Sequence, residues 1–256
     1  MSLRATLVGT GTSTGVPVIG CRCEVCTSPD PRNRRLRTSL SLERADGRRL
    51  WIDTTPDFRQ QALGQGVDRL DAVLFTHAHA DHIYGLDDLR AVNFRQKSSI
   101  PCYGARRTLE TLRAYFAYIF EPGQEGGGKP QIDLRQIDGP FEVIGLSVIP
   151  VPVRHGSWEV LGFRFGDFAY VTDCNFIPEA SFDLLAGVEV LVLGALRHRP
   201  HSTHFTLEEG LAVARRLAVR RVFFTHLSHE IDHAAVERSM PPEASLGYDG
   251  LVLTVG

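Results

Sequence analysis

The chain has no apolar run approaching the ~20 residues that cross a bilayer as a helix, so no membrane-spanning helix is expected. It has no excess of either charge. Lysine and arginine number 28 against 30 aspartates and glutamates, a formal net charge of -2, so bulk electrostatics give no pull toward nucleic acid. Nothing at the start pairs a basic stretch with an apolar one in the manner of a secretion signal. Met1-Ser2-Leu3-Arg4 runs straight into a strand-like segment, and a cytoplasmic protein is expected. A disulfide framework is missing too. The five cysteines are an odd number, and three of them fall in Cys21-Arg22-Cys23-Glu24-Val25-Cys26, a spacing poor for disulfides and good for metal. In a reducing compartment those thiols stay available as ligands. Cys102 and Cys174 stand alone and are expected to be small buried residues. No stretch is long enough to act as a linker, so residues 1–256 are expected to form one domain.

Two further features are weaker than they look. Gly9-Thr10-Gly11-Thr12-Ser13-Thr14-Gly15 follows a strand-like run, but its spacing is not the dinucleotide fingerprint and no helical pattern follows. Backbone flexibility near a ligand is the better reading. Arginines bunch at Arg32, Arg34, Arg35 and Arg37, and again at Arg215, Arg216, Arg220 and Arg221; solvated faces account for both.

What is present is concentrated in one place. Thr76-His77-Ala78-His79-Ala80-Asp81-His82 puts three histidines and an aspartate into six consecutive positions, directly after the apolar run 72–75. Imidazole and carboxylate suit divalent transition metals. On a strand, His77, His79 and Asp81 share a face; a turn into a helix at Asp81-His82 would bring that pair round to the same point. Four ligands in so short a segment hint at two ions rather than one. Other candidates sit just past apolar runs. His155 follows 148–153, Asp173 ends 170–173, and His226 ends 222–226. With Asp81 and His82, this makes seven ligands for two metals sharing a water and a carboxylate.

Strand-like runs cover 5–8, 39–42, 50–52, 72–75 and 100–103, then 146–153, 161–165, 169–172, 188–193 and 222–225. Helical patterns cover 57–63, 106–119, 178–185, 207–217 and 233–238. Leu207, Leu211, Ala214 and Leu217 form a core stripe. The order implies two α/β halves, with sheets packed face to face and helices outside. Residues 121–130, rich in glycine, read as a flexible surface loop.

His77-x-His79-x-Asp81-His82, followed by His155, Asp173 and His226, resembles the metallo-β-lactamase superfamily of hydrolases across essentially the whole chain. The resemblance implies a four-layered αβ/βα sandwich. It assigns His77, His79 and His155 to one metal and Asp81, His82 and His226 to the second, with Asp173 bridging; the metals are zinc or manganese. Cys21-x-Cys23-x-x-Cys26, with His229 in His226-Leu227-Ser228-His229, is similar to the PhnP-type phosphodiesterases, as are Gly15-Val16-Pro17 and Gly247-Tyr248-Asp249-Gly250. That similarity implies a separate structural zinc on Cys21, Cys23, Cys26 and His229. It further implies that His204 protonates the leaving group or touches substrate phosphate, with His198 and His201 as rivals. Arg197 or Arg199 would clamp a phosphate oxygen.

The expected activity is hydrolysis of a small or cyclic phosphodiester by a dinuclear metal site, with His204 and Asp81 as catalytic residues. Ribonuclease Z-like RNA processing and glyoxalase II-like thioester or lactone hydrolysis are the alternatives. Diiron redox relatives usually carry glutamate where this chain has His79. Nucleic acid and membranes are not expected as partners; a homodimer is common in the resembling group.

Overall fold

The chain is described here by a computed structural model covering residues 3–121 and 128–256. The centre of the segment expected to be a surface loop, residues 122–127, lies outside the described residues. The first half runs β1 (Leu3–Gly9), β2 (Ser39–Arg44), β3 (Arg49–Ile52), α1 (Phe58–Gly64), β4 (Ala72–Leu74), α2 (Ala80–Ile83), α3 (Leu89–Gln96), β5 (Ile100–Gly104), α4 (Arg106–Tyr115), α5 (Ala117–Phe120) and β6 (Ile132–Gln136). The second runs β7 (Phe141–Val143), β8 (Leu146–His155), β9 (Trp158–Phe165), β10 (Phe168–Val171), α6 (Glu179–Leu185), β11 (Val190–Gly194), α7 (Leu207–Leu217), β12 (Arg221–Thr225), α8 (His233–Glu237), β13 (Ala244–Leu246) and β14 (Leu251–Val255).

Two seven-stranded sheets result, ordered β14-β1-β2-β3-β4-β5-β6 and β13-β12-β11-β10-β9-β8-β7. Each is antiparallel on one side and parallel on the other. β3 through β6 pair in parallel, as do β10 through β13, and helices lie between successive parallel strands in the chain. Parallel neighbours need such crossovers. The parallel strands read as continuous apolar runs: every residue of β10 and β11 is buried, as a strand covered on both faces requires.

Three apolar clusters define the layers. One lies between the sheets, joining Leu7, Leu40, Leu50 and Leu74 to Phe163, Tyr170, Val192 and Phe223. Another packs Trp51, Val73 and Phe75 under Phe58, Leu89, Leu109 and Leu112 of the first-half helices. The third packs Leu191, Leu193 and Phe224 under Leu185, Leu207 and Ala214. The architecture is the expected four-layered αβ/βα sandwich. The halves are not independent: β14, last in the chain, pairs with β1.

Several expected boundaries shift. The helix expected over 106–119 breaks at Phe116, whose φ of -116° and ψ of 39° leave the helical region. α3 and the strands β6, β7, β13 and β14 were not expected. They are short or at sheet edges, where pattern is thin. Among the described residues no helix is long and apolar enough to cross a membrane.

Candidate active site

The expected ligands come together at one edge of the two sheets, where the parallel strands end. The strand-face reading of the histidine motif is corrected: β4 stops at Leu74, so His77 and His79 stand in the loop beyond it. The turn into a helix does occur. α2 begins at Ala80 with His79 as its N-cap, and carries Asp81 and His82. Nitrogen and oxygen atoms of His77, His79 and His155 lie within 4.8 Å of one another, and so do those of Asp81, His82, Asp173 and His226. The two groups meet at Asp173. Its Oδ2 is 3.3 Å from His226 Nε2 and 3.4 Å from His82 Nε2, and 3.9 Å from His77 Nε2 in the other group.

The sequence rule of a polar residue just past a buried strand also applied to Asp53, which was missed. It follows Leu50-Trp51-Ile52 at the end of β3 and is fully buried. Its Oδ1 accepts the Thr76 N–H at 2.8 Å, and its Oδ2 accepts the Thr76 hydroxyl at 2.7 Å and stands 2.7 Å from His82 Nδ1. That contact gives His82 Nδ1 an acceptor for its proton, so that Nε2 would be the nitrogen offered to a cation taking the place of its proton, a common way of orienting metal-binding imidazoles. His155 is fixed likewise: its Nδ1 donates to the Thr203 carbonyl at 2.8 Å. Asp53, Asp173 and His226 all have left-handed backbones, with φ of 64°, 52° and 60°. Non-glycine residues avoid this region, and such strain gathers at functional sites.

The electrostatics ask for cations. Burial, then the neighbouring His82, pushes His77 well below the usual imidazole range; burial, then His155, lowers His79. Neutral imidazole is the ligating form. Burial also opposes a charge on His82, but Asp173, Asp81 and Asp53 outweigh it and hold His82 well above that range. For Asp173 and Asp81 burial favours the neutral acid; His226 and His82 overcome it for Asp173, chiefly His82 for Asp81, and both stay ionised. Meanwhile the buried Nε2 atoms of His82 and His226 have no hydrogen-bond partner. Buried polar atoms are rarely left so. Unpaired imidazole nitrogens facing carboxylates are the donor set of a divalent metal, and the residues fit two such ions.

His204 joins this cluster. Its ring stacks on His226 at 4.6 Å and lies 4.6 Å from His155, and it groups with His155 and Asp173. Burial, helped by His226, brings its pKa down to about 3. A capping box on α7, formed by Thr206 and Glu209, fixes the chain just beyond it. The rivals sit farther out. His198 and His201 are exposed; His201 Nδ1 accepts the Thr203 N–H at 3.3 Å, and its ring lies 5.2 Å from that of His204. Arg197 and Arg199, expected to clamp phosphate, instead pair with Glu230 at 3.2 and 3.0 Å.

The second cluster lies on the far side of the same loop. Cys21, Cys23 and Cys26 place their sulfurs 3.4, 3.5 and 3.6 Å from His229 Nδ1. The Cys26 amide hydrogen-bonds the Cys23 sulfur and brings its pKa down to about 6; burial pushes Cys26 up to about 11. Three thiols around one imidazole nitrogen fit a closed tetrahedral zinc site. Cys102 and Cys174 are buried, as expected.

The glycine-rich start turns out to be packed rather than flexible. A Cβ on Gly9 would fall 2.0 Å from the Arg37 carbonyl, and one on Gly11 2.8 Å from that of Arg35. Thr12 N donates to Leu227 O at 3.1 Å, tying this loop to the one that holds His226 and His229. The solvated-face reading fails for Arg35, which is 1% exposed and donates to the Ser228 and Ile231 carbonyls at 3.0 and 2.8 Å.

The comparisons with known proteins agree with this architecture. Residues 48–227 match the family model described as "Beta-lactamase superfamily domain". A solved diphosphatase from the PhnP family superposes with a TM-score of 0.93 at 43% identity, over all of this chain and 98% of that one. An octanoyltransferase of Porphyromonas gingivalis is 38% identical over 97% of this chain, but the chain spans only 51% of its length. A ribonuclease Z of Mycolicibacterium paratuberculosis is 27% identical, covering 88% of this chain and 85% of that protein. With the family model spanning most of the chain and the sandwich in place, the protein belongs to the beta-lactamase superfamily, with PhnP resemblance.

Proposed function

We propose that this hydrolase is a phosphodiesterase acting on small or cyclic phosphodiesters through two metal ions, zinc or manganese, with a third, structural zinc on Cys21, Cys23, Cys26 and His229. The observation that carries the reading is Asp173 Oδ2, which faces imidazoles of both ligand groups at once. His77, His79 and His155 would hold one ion; Asp81, His82 and His226 the other; Asp173 would touch both. What the ions supply is positive charge, which lowers the pKa of a water and offsets the charge growing on phosphoryl oxygens. Asp81 and Asp173 orient the attacking water. Asp53 keeps His82 turned toward the site. His204 hydrogen-bonds the leaving oxygen. Burial, then His226, holds its pKa below the usual imidazole range, and a neutral imidazole N–H can serve as that hydrogen-bond donor.

The full-length likeness to a PhnP-family diphosphatase supports phosphorus rather than carbon as the centre attacked. A small substrate, rather than nucleic acid, agrees with the net charge of -2. We further propose that residues 1–256 work as one catalytic unit, in the cytoplasm, as a homodimer. RNA processing is the second reading, favoured by the ribonuclease Z relative.

The test is a hydrolysis panel on metal-loaded protein: bis(p-nitrophenyl) phosphate, a 2′,3′-cyclic nucleotide, a ribose 1,2-cyclic phosphate, a thioester, a β-lactam and a precursor tRNA. Turnover of the phosphodiesters alone, abolished in Asp81→Ala, is expected. His204→Ala should slow alkyl esters more than p-nitrophenyl esters, because only the former need a proton on the departing oxygen. Turnover of thioester or lactam instead would overturn the assignment.

A further inference from the structure

Nothing ties down the ring of His204 directly. Among the described residues no hydrogen bond reaches its imidazole; it packs against the rings of His155, His226 and His201. Where that ring points is therefore decided by the loop that carries it, between the end of β11 and the start of α7. The neck of the loop is closed. The Leu196 N–H donates to the Phe205 carbonyl at 2.8 Å, and the Leu207 N–H to the Arg197 carbonyl at 3.1 Å. Beyond the neck, residues 198–202 are exposed and have no apolar core to settle into.

Two flanks hold this exposed tip. On one, Asn175 Nδ2 donates to the Ser202 carbonyl at 3.1 Å, and the Thr203 carbonyl accepts from His155 at 2.8 Å. The other flank rests on Glu230. Arg199 lays its fork across that carboxylate, Nε to Oε2 and Nη2 to Oε1, both at 3.0 Å, and Arg197 Nη1 reaches Oε1 at 3.2 Å. Arg197 also donates back into the tip, to the carbonyls of Arg199 and Pro200, each at 3.2 Å. Isolated surface ion pairs contribute little, but a bidentate pair inside a network fixes a geometry. Glu230 is itself anchored. Its N–H donates to Ser228 Oγ at 3.2 Å, and the Ser228 N–H donates to the Leu196 carbonyl at 3.0 Å.

We infer that Glu230 is a positioning residue: by clamping Arg197 and Arg199 it sets the loop so that the His204 ring faces the leaving oxygen. Glu230 touches no substrate and acts only through His204. The inference rests on the phosphodiesterase reading and on the role given there to His204. Small misplacements of a group that must meet a reacting atom are costly, so a clamp outside the chemistry can govern it.

Two esters test it on the zinc-loaded enzyme: a 2′,3′-cyclic nucleotide, whose leaving group is an alkoxide, and bis(p-nitrophenyl) phosphate, whose phenolate leaves with little help. Glu230→Gln keeps the size and removes the charge. It should lower kcat for the cyclic nucleotide about tenfold or more, while kcat for the p-nitrophenyl ester and both KM values change by less than about twofold. In a His204→Ala background the same substitution should add nothing. A merely structural role would slow both esters together and add to His204→Ala; either result overturns the inference. So would a lower KM with an unchanged ratio of the two kcat values, because the freed arginines would then be binding substrate. The His204 Cε1–H proton resonance, identified by its absence in His204→Ala, reads the ring's place without turnover. Stacking on His226 displaces it in the wild type, and in Glu230→Gln it should move toward the value of a free imidazole. Should the alkyl diester, or both esters, not be hydrolysed, this resonance decides by itself, and loss of both also ends the phosphodiesterase reading. An unmoved resonance overturns the inference.

Discussion

The histidine–aspartate cluster and the cysteine cluster are built in opposite ways from the same loop. His226 and His229 are three residues apart, yet one faces the buried site and the other the thiols. The first cluster draws its side chains from the ends of β3, β8, β10 and β12 and from the loop and α2 after β4, buries most of them, and holds three in left-handed backbone. The second takes three of four ligands from six consecutive residues and leaves them partly exposed. A site assembled from distant strand ends needs the whole fold before it exists. A site with three ligands in one short loop needs the fold only for the fourth, His229, and ties that loop to the rest of the protein.

The largest effect should come from removing the residue shared by both ligand groups. Asp173→Ala should lower phosphodiester kcat by about a thousandfold or more, since the lost carboxylate is the one that would help hold both ions, whose charge would stabilise the transition state. Metal analysis should still find the zinc on the cysteines. Loss of that zinc as well would erase the distinction between the clusters. The converse variant is Cys23→Ser. It should release one metal per chain and lower Tm by several degrees, because binding to a structural site is linked to folding. The fraction that stays folded should keep its kcat, and a proportionate fall in kcat at full folding would make the cysteine site part of the chemistry.

A smaller effect sharpens the first half of the comparison. Asp53→Asn should weaken active-site metal affinity and activity by about 10–100-fold, the usual cost of losing the partner of a ligating histidine. Affinity measured with a metal indicator at the cysteine site should not move. The smallest effect concerns the tie between the clusters. Asp249 accepts the Thr10 hydroxyl and the Leu36 N–H, each at 2.7 Å. Burial pushes its pKa up to about 7, against the pull of those bonds and of Arg35. Between the unfolded pKa, near 4, and about 7, the native state keeps a proton that the unfolded chain has lost, so this group makes stability fall as pH rises. The slope is at most about 1.4 kcal/mol per pH unit. Urea unfolding of Asp249→Asn should lack that component across pH 4–7, with metal stoichiometry unchanged. Identical pH profiles for variant and wild type would remove Asp249 from the tie.

The reading from sequence succeeded where signals were local and failed where they depended on pairing. His77, His79, Asp81 and His82 are neighbours in the chain, and His155, Asp173 and His226 follow apolar runs, so all seven stood out. Asp53 follows such a run too, but a single carboxylate carries no motif; its contact with His82 spans 29 positions. Arg35 looked like one of a solvated cluster because its burial depends on carbonyls near residue 230. The glycines at 9 and 11 promised flexibility, whereas they permit close backbone packing against residues 35–37.

By itself, the sequence determined the ligand types, the alternation of strands and helices, and hence the layered fold, because hydrophobic periodicity and metal chemistry are properties of short segments. Only the tertiary structure decided which carboxylate faces both histidine groups, and that Glu230 occupies Arg197 and Arg199. Those facts depend on distances between residues far apart in the chain, and such distances are set when the two sheets pack against each other.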